Sequence, residues 1–359
     1  MNILLNYVRK NPLSIMLLFI PLAFIAEVGK FPSLSIFIFS ALGVIPLAGY
    51  IGESTEILAA YTGPKIGGLL NATLGNAAEL IITLVAIKAG LIELVKASIT
   101  GSIIGNLLLV LGISMMVGGL KNGLQKFDQR QSSNHALLLV LAMIALGIPS
   151  FFSASIGPET SIQVEALSLS VSIVMIVLYG LGLLYSLRYT NHSIIAHSSV
   201  VNHKAGWSKN QAILVLALAT LGVVFMSELL VGSIEIVVAD LGLSEFFLGI
   251  ILIPLVGNVA EHLVAVQVAH RNQMDLSIEI AVSSSIQIAL FVAPFLVFVS
   301  LLLGNPLTLV FNTFELIALG AAALIAVLVA SDGESNWLEG AALTGVYLIL
   351  GFAFFLLPS

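Results

Sequence analysis

Two glutamates, Glu79 and Glu261, close a repeated pattern: residues 75–79 read GNAAE and residues 257–261 read GNVAE. Each lies near the middle of a long apolar run, with about a dozen residues on either side, or about 18 Å of helix. A carboxylate at that depth costs about 2.5–3.5 kcal/mol on insertion scales and cannot snorkel to water. Two of them at matched positions point to a shared intramembrane site. The competing reading, two protonated and hydrogen-bonded structural glutamates, leaves the matching unexplained.

Around each acid the polar residues repeat. Asn76 precedes Glu79 by three positions and Asn258 precedes Glu261 by three, so on a continuous helix each pair would share a face. Helices crossing at the membrane centre would gather two carboxylates and two amide oxygens around one point. Hard divalent cations want this chemistry, Ca²⁺ taking roughly six to eight oxygen ligands. The chain has no cysteine and no cluster of intramembrane histidines, which removes the softer ligands that favour zinc or copper. Gly67, Gly68, Asn71 and Gly75 precede the first acid, and Gly249, Pro254 and Gly257 the second. These residues weaken helices, so both motifs are expected to follow an interruption that frees backbone carbonyls.

A second polar layer comes from Ser102 with Asn106, and from Ser284 with Gln287, flanked by Ser283 and Ser285. Ser284 and Gln287 are expected in the cation site, although interhelical hydrogen bonding alone also uses such residues. Glu53 and Glu235 form another matched pair, with Glu56 one turn after Glu53 and Glu228 two turns before Glu235. These could conduct protons or attract cations at an entrance, or lie in wet interfacial positions. His262 follows Glu261 directly and points about 100° away from it. It is a candidate proton relay or a satisfied interior histidine. His192, His197 and His203 are irregularly spaced in a polar connection and read as solvated. Glu315 has no matched partner. No GxxxxGK, HExxH or GxSxG pattern occurs, so ATP-driven pumping, membrane zinc proteolysis and serine hydrolysis are unsupported, and no enzyme activity or cofactor is expected.

The elements that must position these groups are membrane helices. Of 359 residues, 59% are hydrophobic and only 9% charged, and the mean hydropathy is +1.11. That excludes a soluble enzyme, a disordered chain and a nucleic-acid binder, and makes the lipid bilayer the obligatory partner. Apolar runs predict an all-α polytopic protein of eleven spans, at 12–28, 33–62, 65–89, 93–118, 135–153, 162–187, 211–240, 244–270, 276–303, 308–330 and 337–357. The run after Arg9 and Lys10 is read as a retained first span, because no small-residue cleavage site follows it. With the N-terminus in the cytoplasm, ten basic residues fall inside and three (Lys30, Lys88 and Lys96) outside, and the C-terminus lies outside.

The two acid motifs are 182 residues apart (257 minus 75). The same offset carries Glu53 onto Glu235, Gly67 onto Gly249 and Ser102 onto Ser284. The chain therefore divides into 1–32, a cytoplasmic segment and first span; 33–187, a first five-helix repeat; 188–210, a cytoplasmic linker; and 211–359, a second five-helix repeat. Five is odd, so the second copy enters the membrane from the opposite side, the inverted arrangement of many secondary transporters.

The residues GGLLNATLGNAAELI at 67–81 and GNVAEHLVAVQVAHRNQMDL at 257–276 resemble the calcium/proton exchanger (CAX) family of the calcium/cation antiporter superfamily, supported by GSIIGNLLLVLG at 101–112 and SSSIQIALFVAP at 283–294. The resemblance covers nearly the whole chain. It implies that Glu79 and Glu261 are acidic ligands alternating between Ca²⁺ and H⁺, with Asn76, Asn258, Ser284 and Gln287 as supporting members of the site. The Ser/Thr-x-Pro-Glu signature of sodium/calcium exchangers is missing at the matching positions. The acidic helix that the family often carries between its halves has no counterpart in 188–210, which contains no acid. The expectation is a Ca²⁺/H⁺ antiporter of a bacterial inner membrane, with Glu53, Glu235 and His262 as further proton-coupling candidates. Sodium coupling, another divalent cargo such as Mn²⁺, a cation channel and a homo-oligomeric state remain open.

Overall fold

The computed structural model describes residues 12–189 and 207–357. Arg9, Lys10, Lys204 and the three histidines of the linker lie outside the described residues, as does most of the linker itself. A 3₁₀ turn, Pro12–Leu18, leads into α1 (Phe19–Val28). There follow α2 (Ser33–Leu74), α3 (Ala77–Ala89), α4 (Ile92–Asn122), α5 (Gln129–Ile156) and α6 (Ile162–Tyr189). After the linker come α7 (Lys209–Leu241), α8 (Glu245–His270), α9 (Met274–Leu303), α10 (Thr313–Ala330) and α11 (Trp337–Phe355). Among the described residues, nine helices are long and apolar enough to cross a membrane. The expected count of eleven adds α1, and the end of α2 taken together with α3; both are shorter and neither qualifies by itself.

Four departures from regular α-helix surround the polar centre. Gly63 adopts φ 81, ψ 171 within α2, a conformation that costs an L side chain heavily and that glycine allows. The remaining stretch to Leu74 is a short helix set off from its neighbours by two non-helical joints. The second joint is Gly75–Asn76, where Asn76 leaves the helical region at φ −99, ψ 26. Wide π turns occupy Gly105–Val110 in α4 and Ile288–Val292 in α9, at equivalent places under the 182-residue offset. Each opens the hydrogen-bond ladder just after Ser102 or Ser284, as π turns often do at functional positions. The expected interruption before the second motif does not occur. α8 is continuous through Gly257, and a π turn at Leu248–Leu252 places Pro254 in the first turn of the α-helical stretch that follows, where its missing N–H is tolerated.

The loops sort into two ends. At one, β1 (Gln125–Lys126) and β2 (Glu334–Ser335) form a two-residue antiparallel ladder, and Gln125 Nε2 donates to Asn272 Oδ1 at 3.0 Å. Nothing in the sequence marks this ladder, because two-residue strands leave no alternation to read. At the opposite end, Asn305 Nδ2 donates to the Ile87 carbonyl at 2.9 Å, and the buried Lys96 ammonium bridges Glu93 and Glu159. α4 and α8 meet near this end with almost no side chain between them. A Cβ on Gly249 would lie 2.8 Å from Ala97 Cβ, and one on Gly101 would lie 2.0 Å from the Ile250 carbonyl oxygen.

Candidate functional site

Each glutamate is served by the other half of the chain. Glu79, in the first turn of α3, accepts a hydrogen bond from Ser102 Oγ of α4. Its other oxygen accepts from Asn258 Nδ2 of α8 at 3.4 Å, and the same amide reaches Ser102 Oγ at 3.3 Å. Glu261, in α8, accepts from Ser284 Oγ of α9 at 2.9 Å, and Ser284 also approaches Asn76 Oδ1 at 3.2 Å. The pattern is a crossed pair: Glu79, Ser102 and Asn258 on one side, and Glu261, Ser284 and Asn76 on the other. The glycines cross as well. Gly75 lies against Glu261, where an added Cβ would be 3.5 Å from Oε1, and Gly257 lies against Glu79, 3.5 Å from its Cβ. Bare backbone here lets the two motifs touch.

This corrects one expectation. Asn76 and Glu79 do not share a helical face, because the chain is not helical at Asn76. Each asparagine works across the interface: Asn258 donates to Glu79 itself, and Asn76 accepts from Ser284, the serine that holds Glu261. Gln287 joins the second group, its Nε2 lying 3.8 Å from the position of a Gly75 Cβ. Thus Glu79, Glu261, Asn76, Asn258, Ser284 and Gln287 come together. Buried carboxylates, amides and hydroxyls form a set of hard oxygen donors, and Asn76 Nδ2 is buried without a partner.

The two acids differ in access. Glu79 is 1% exposed and sealed. Glu261 lines a cavity of about 700 Å³ that also reaches Gln287, Glu53, Glu56 and, beyond them, Arg271 at the end of α8. The cavity thus runs from the end that carries the β ladder to the second glutamate. Glu53 is on its wall, whereas Glu235 is exposed on α7 and is not among the cavity residues. Glu56 takes a place in the wall that the matched-pair argument missed. Its equivalent under the offset is Val238, so only its one-turn spacing from Glu53 could have drawn attention to it. His262 points away from the acids and pairs through Nε2 with Asn106 Oδ1 at 3.1 Å. Glu315 caps α10 and accepts from Thr100. Among the described residues no group of three or more acids, histidines or cysteines stands ready for a metal ion.

The crossing predicts its own sensitivity. On the expectation from the sequence that this centre takes Ca²⁺, Asn258→Ala, which removes the amide that ties Glu79 to Ser102, should lower calcium affinity about tenfold, the worth of one hydrogen bond to a charged group. Calorimetric titration of the purified variant against the parent measures this. An unchanged affinity would remove Asn258 from the site.

Apolar spans around a polar, carboxylate-bearing centre reached from one end define an integral membrane protein built like a transporter. The chain belongs to the sodium/calcium exchanger protein family, which it matches over residues 32–188 and 211–356. It is 43% identical over 362 residues to a Ca²⁺/H⁺ antiporter of Aphanothece halophytica, covering 96% of both chains. It is also 43% identical over 343 residues to the Ca²⁺/H⁺ antiporter ChaA of Bacillus subtilis, covering 94% of this chain and 97% of that one. Its fold is similar to the solved structure of native YfkE at a TM-score of 0.84, with 41% identity and coverage of 96% and 100%.

Proposed function

We propose that this protein exchanges Ca²⁺ for H⁺ across a bacterial inner membrane by alternating access, with Glu79 and Glu261 as the common carriers of both cargoes. The observation that carries the reading is the crossed pair, in which each carboxylate accepts from the serine of its own half, with Asn258 bonded to Glu79 and Asn76 bonded to Ser284 beside Glu261. Two carboxylates balance one Ca²⁺ or two protons. Either load neutralises the site, and a neutral site crosses a low-dielectric barrier. An empty, doubly charged site pays a desolvation cost of several kcal/mol per ion, which enforces exchange. Asn76, Asn258, Ser284 and Gln287 complete the oxygen set for Ca²⁺. Glu53, on the cavity wall, serves proton delivery to Glu261 better than Glu235 does from its exposed face. Relatives named as Ca²⁺/H⁺ antiporters, at 43% identity, support this cargo pair.

In this reading residues 33–187 and 211–359 are the two inverted halves, joined by 188–210. The end bearing Lys121, Lys126 and Arg271 is cytoplasmic by the basic-residue bias, so the cavity faces inward. The test is uptake of radiolabelled Ca²⁺ into liposomes containing the purified protein, driven only by an imposed pH gradient. Uptake that collapses with a protonophore is expected. Uptake under a sodium gradient, and none under a proton gradient, would overturn the coupling ion. Silence to both with folded protein would shift the cargo to Mn²⁺ or another divalent ion. Conduction independent of any counter-gradient would mean a channel.

A further inference from the structure

Glu228 stands where a membrane protein rarely leaves a carboxylate. It is exposed on α7, in line with Leu218, Leu221, Phe225 and Ile236, which are exposed too. Their spacing makes one helix face. The opposite face of α7, with Val223, Met226 and Leu230, is buried. The exposed face is therefore the one turned to lipid.

Packing fixes the depth of Glu228. A Cβ on Gly43 of α2 would lie 3.0 Å from Met226 Sδ and 3.5 Å from Ile20 Cγ1, and one on Gly222 would lie 3.0 Å from Leu47. Gly43 is ten residues from Ser33, where α2 starts at the outer end, and Ile20 is ten residues from Lys30 in the outer turn between α1 and α2. Each of these rulers gives about 15 Å, half the thickness of a hydrocarbon core. The 182-residue offset turns the Gly43–Met226 contact into Val44–Phe225, nearly itself, so the contact lies at the centre of the inverted pair. Glu228, two residues beyond Met226, is within one turn of the midplane, too deep to snorkel.

The other repeat holds an image of this position. Subtracting the offset from 228 gives Pro46, and Pro46 lines the inward cavity. In inverted halves the outward-facing cavity is lined by the images of those walls. Glu228 then belongs to the wall of the outer cavity, with Glu235, the image of Glu53, nearer the outer end. Acids within spans face water or protein in at least one state of the molecule, and the outer cavity supplies the water.

We propose that Glu228 is a proton lock on the outward-facing state: its carboxylate ionises in the water of the outer cavity, and α7 returns it to lipid only after it takes a proton from the outer side. The same proton leaves to the same side when the cavity reopens, so it is no part of the transported load. The inner image is a proline, so the lock answers to outer pH alone. It rests on the alternating-access reading above. Of the described side chains on elements packed against α7, the ionisable ones are Glu27 of α1, Tyr50, Glu53, Glu56 and Tyr61 of α2, Glu79 and Lys88 of α3, and Glu245 of α8; α7 itself adds Lys209, Glu235 and Asp240. Among the described residues none of these pairs with Glu228.

Calcium self-exchange isolates the lock. Labelled Ca²⁺ on one side of a proteoliposome trades for unlabelled Ca²⁺ on the other, so Glu79 and Glu261 need no proton for either crossing. With pH varied on one side at a time, the parent rate should fall as outer pH rises, by up to about tenfold per pH unit, and should ignore inner pH. Glu228→Gln and Glu228→Leu should both lose the dependence on outer pH. Leucine suits a position facing lipid, so the thermal midpoint of Glu228→Leu should match or exceed the parent's; a clear drop would mean a structural contact and overturn the lock. A variant whose pH profile runs parallel to the parent's, or a parent insensitive to outer pH, overturns the lock and leaves antiport standing. A parent that neither self-exchanges calcium nor takes it up under a pH gradient overturns the exchange reading, and the lock with it.

Discussion

Glu79→Gln is expected to lower calcium uptake driven by a pH gradient by about a hundredfold or more, and to make the uptake that survives sensitive to membrane potential. The size follows from the burial of this carboxylate, which is 1% exposed. Removing one charge from a buried, hydrogen-bonded set costs roughly 2–5 kcal/mol, and each 1.4 kcal/mol is about tenfold in affinity. The amide is a poor isostere here. Glu79 accepts from both Ser102 Oγ and Asn258 Nδ2, and a glutamine must turn a second N–H₂ group toward one of those donors. The potential sensitivity follows from charge counting. With a single carboxylate left at Glu261, the calcium-loaded site is positive while the protonated site is neutral, so the loaded state now carries charge through the membrane.

Glu261→Gln should lose less binding than Glu79→Gln, because Glu261 lines the water-accessible cavity and its replacement can turn to solvent. Glu79→Asp keeps the charge and withdraws it by one methylene from Ser102, and should retain part of the activity. Uptake in liposomes at set potentials, together with calorimetric calcium binding, measures all three. A Glu79→Gln protein that accumulates calcium as the parent does would sink the paired-carboxylate mechanism.

Much of this was legible in the sequence because the bilayer makes composition and spacing strong signals. A carboxylate amid apolar residues is too costly to be incidental, and a constant offset between two such residues implies shared architecture. The offset reaches details that no hydropathy profile shows. The π turns of α4 and α9 obey it, as do Gly90 and Asn272, which end α3 and α8 in left-handed conformations. What stayed hidden depends on how the halves dock. Spacing within a motif suggested that Asn76 would serve Glu79, but the chain is not helical at Asn76, and the crossing of the motifs brings Asn258 onto Glu79 and Asn76 onto Ser284 beside Glu261. The matched pair Glu53 and Glu235 is not placed alike in this structure: Glu53 and Glu56 line the described cavity, Glu235 is exposed on α7, and the repeat does not duplicate Glu56.

Gly101→Val is the second large effect, and it acts through the helix contact rather than through the ions. A Cβ at this position would lie 2.0 Å from the Ile250 oxygen and 2.6 Å from its carbonyl carbon. Both obstacles are backbone, so no rotamer change relieves them, and α8 must back away from α4. Overpacking of this kind costs about 1–3 kcal/mol or more, paid at the seal that keeps Glu79 from the outer face. Two consequences are expected together. The thermal midpoint in detergent should drop by several degrees, and net accumulation should fall at least about tenfold as calcium and protons leak past the loosened contact. The displacement also reaches the polar centre, since Asn258 of α8 bonds Ser102 of α4 across the same pair of helices, and calorimetric calcium affinity in detergent should fall with it. Gly105→Ala provides the comparison. It is one turn further along the same helix, and nothing lies within 4 Å of its added methyl, so stability and transport should both hold. Equal behaviour of the two variants would show that the close approach of α4 and α8 does not seal the outer end, and the barrier around Glu79 would then have to lie in other helices.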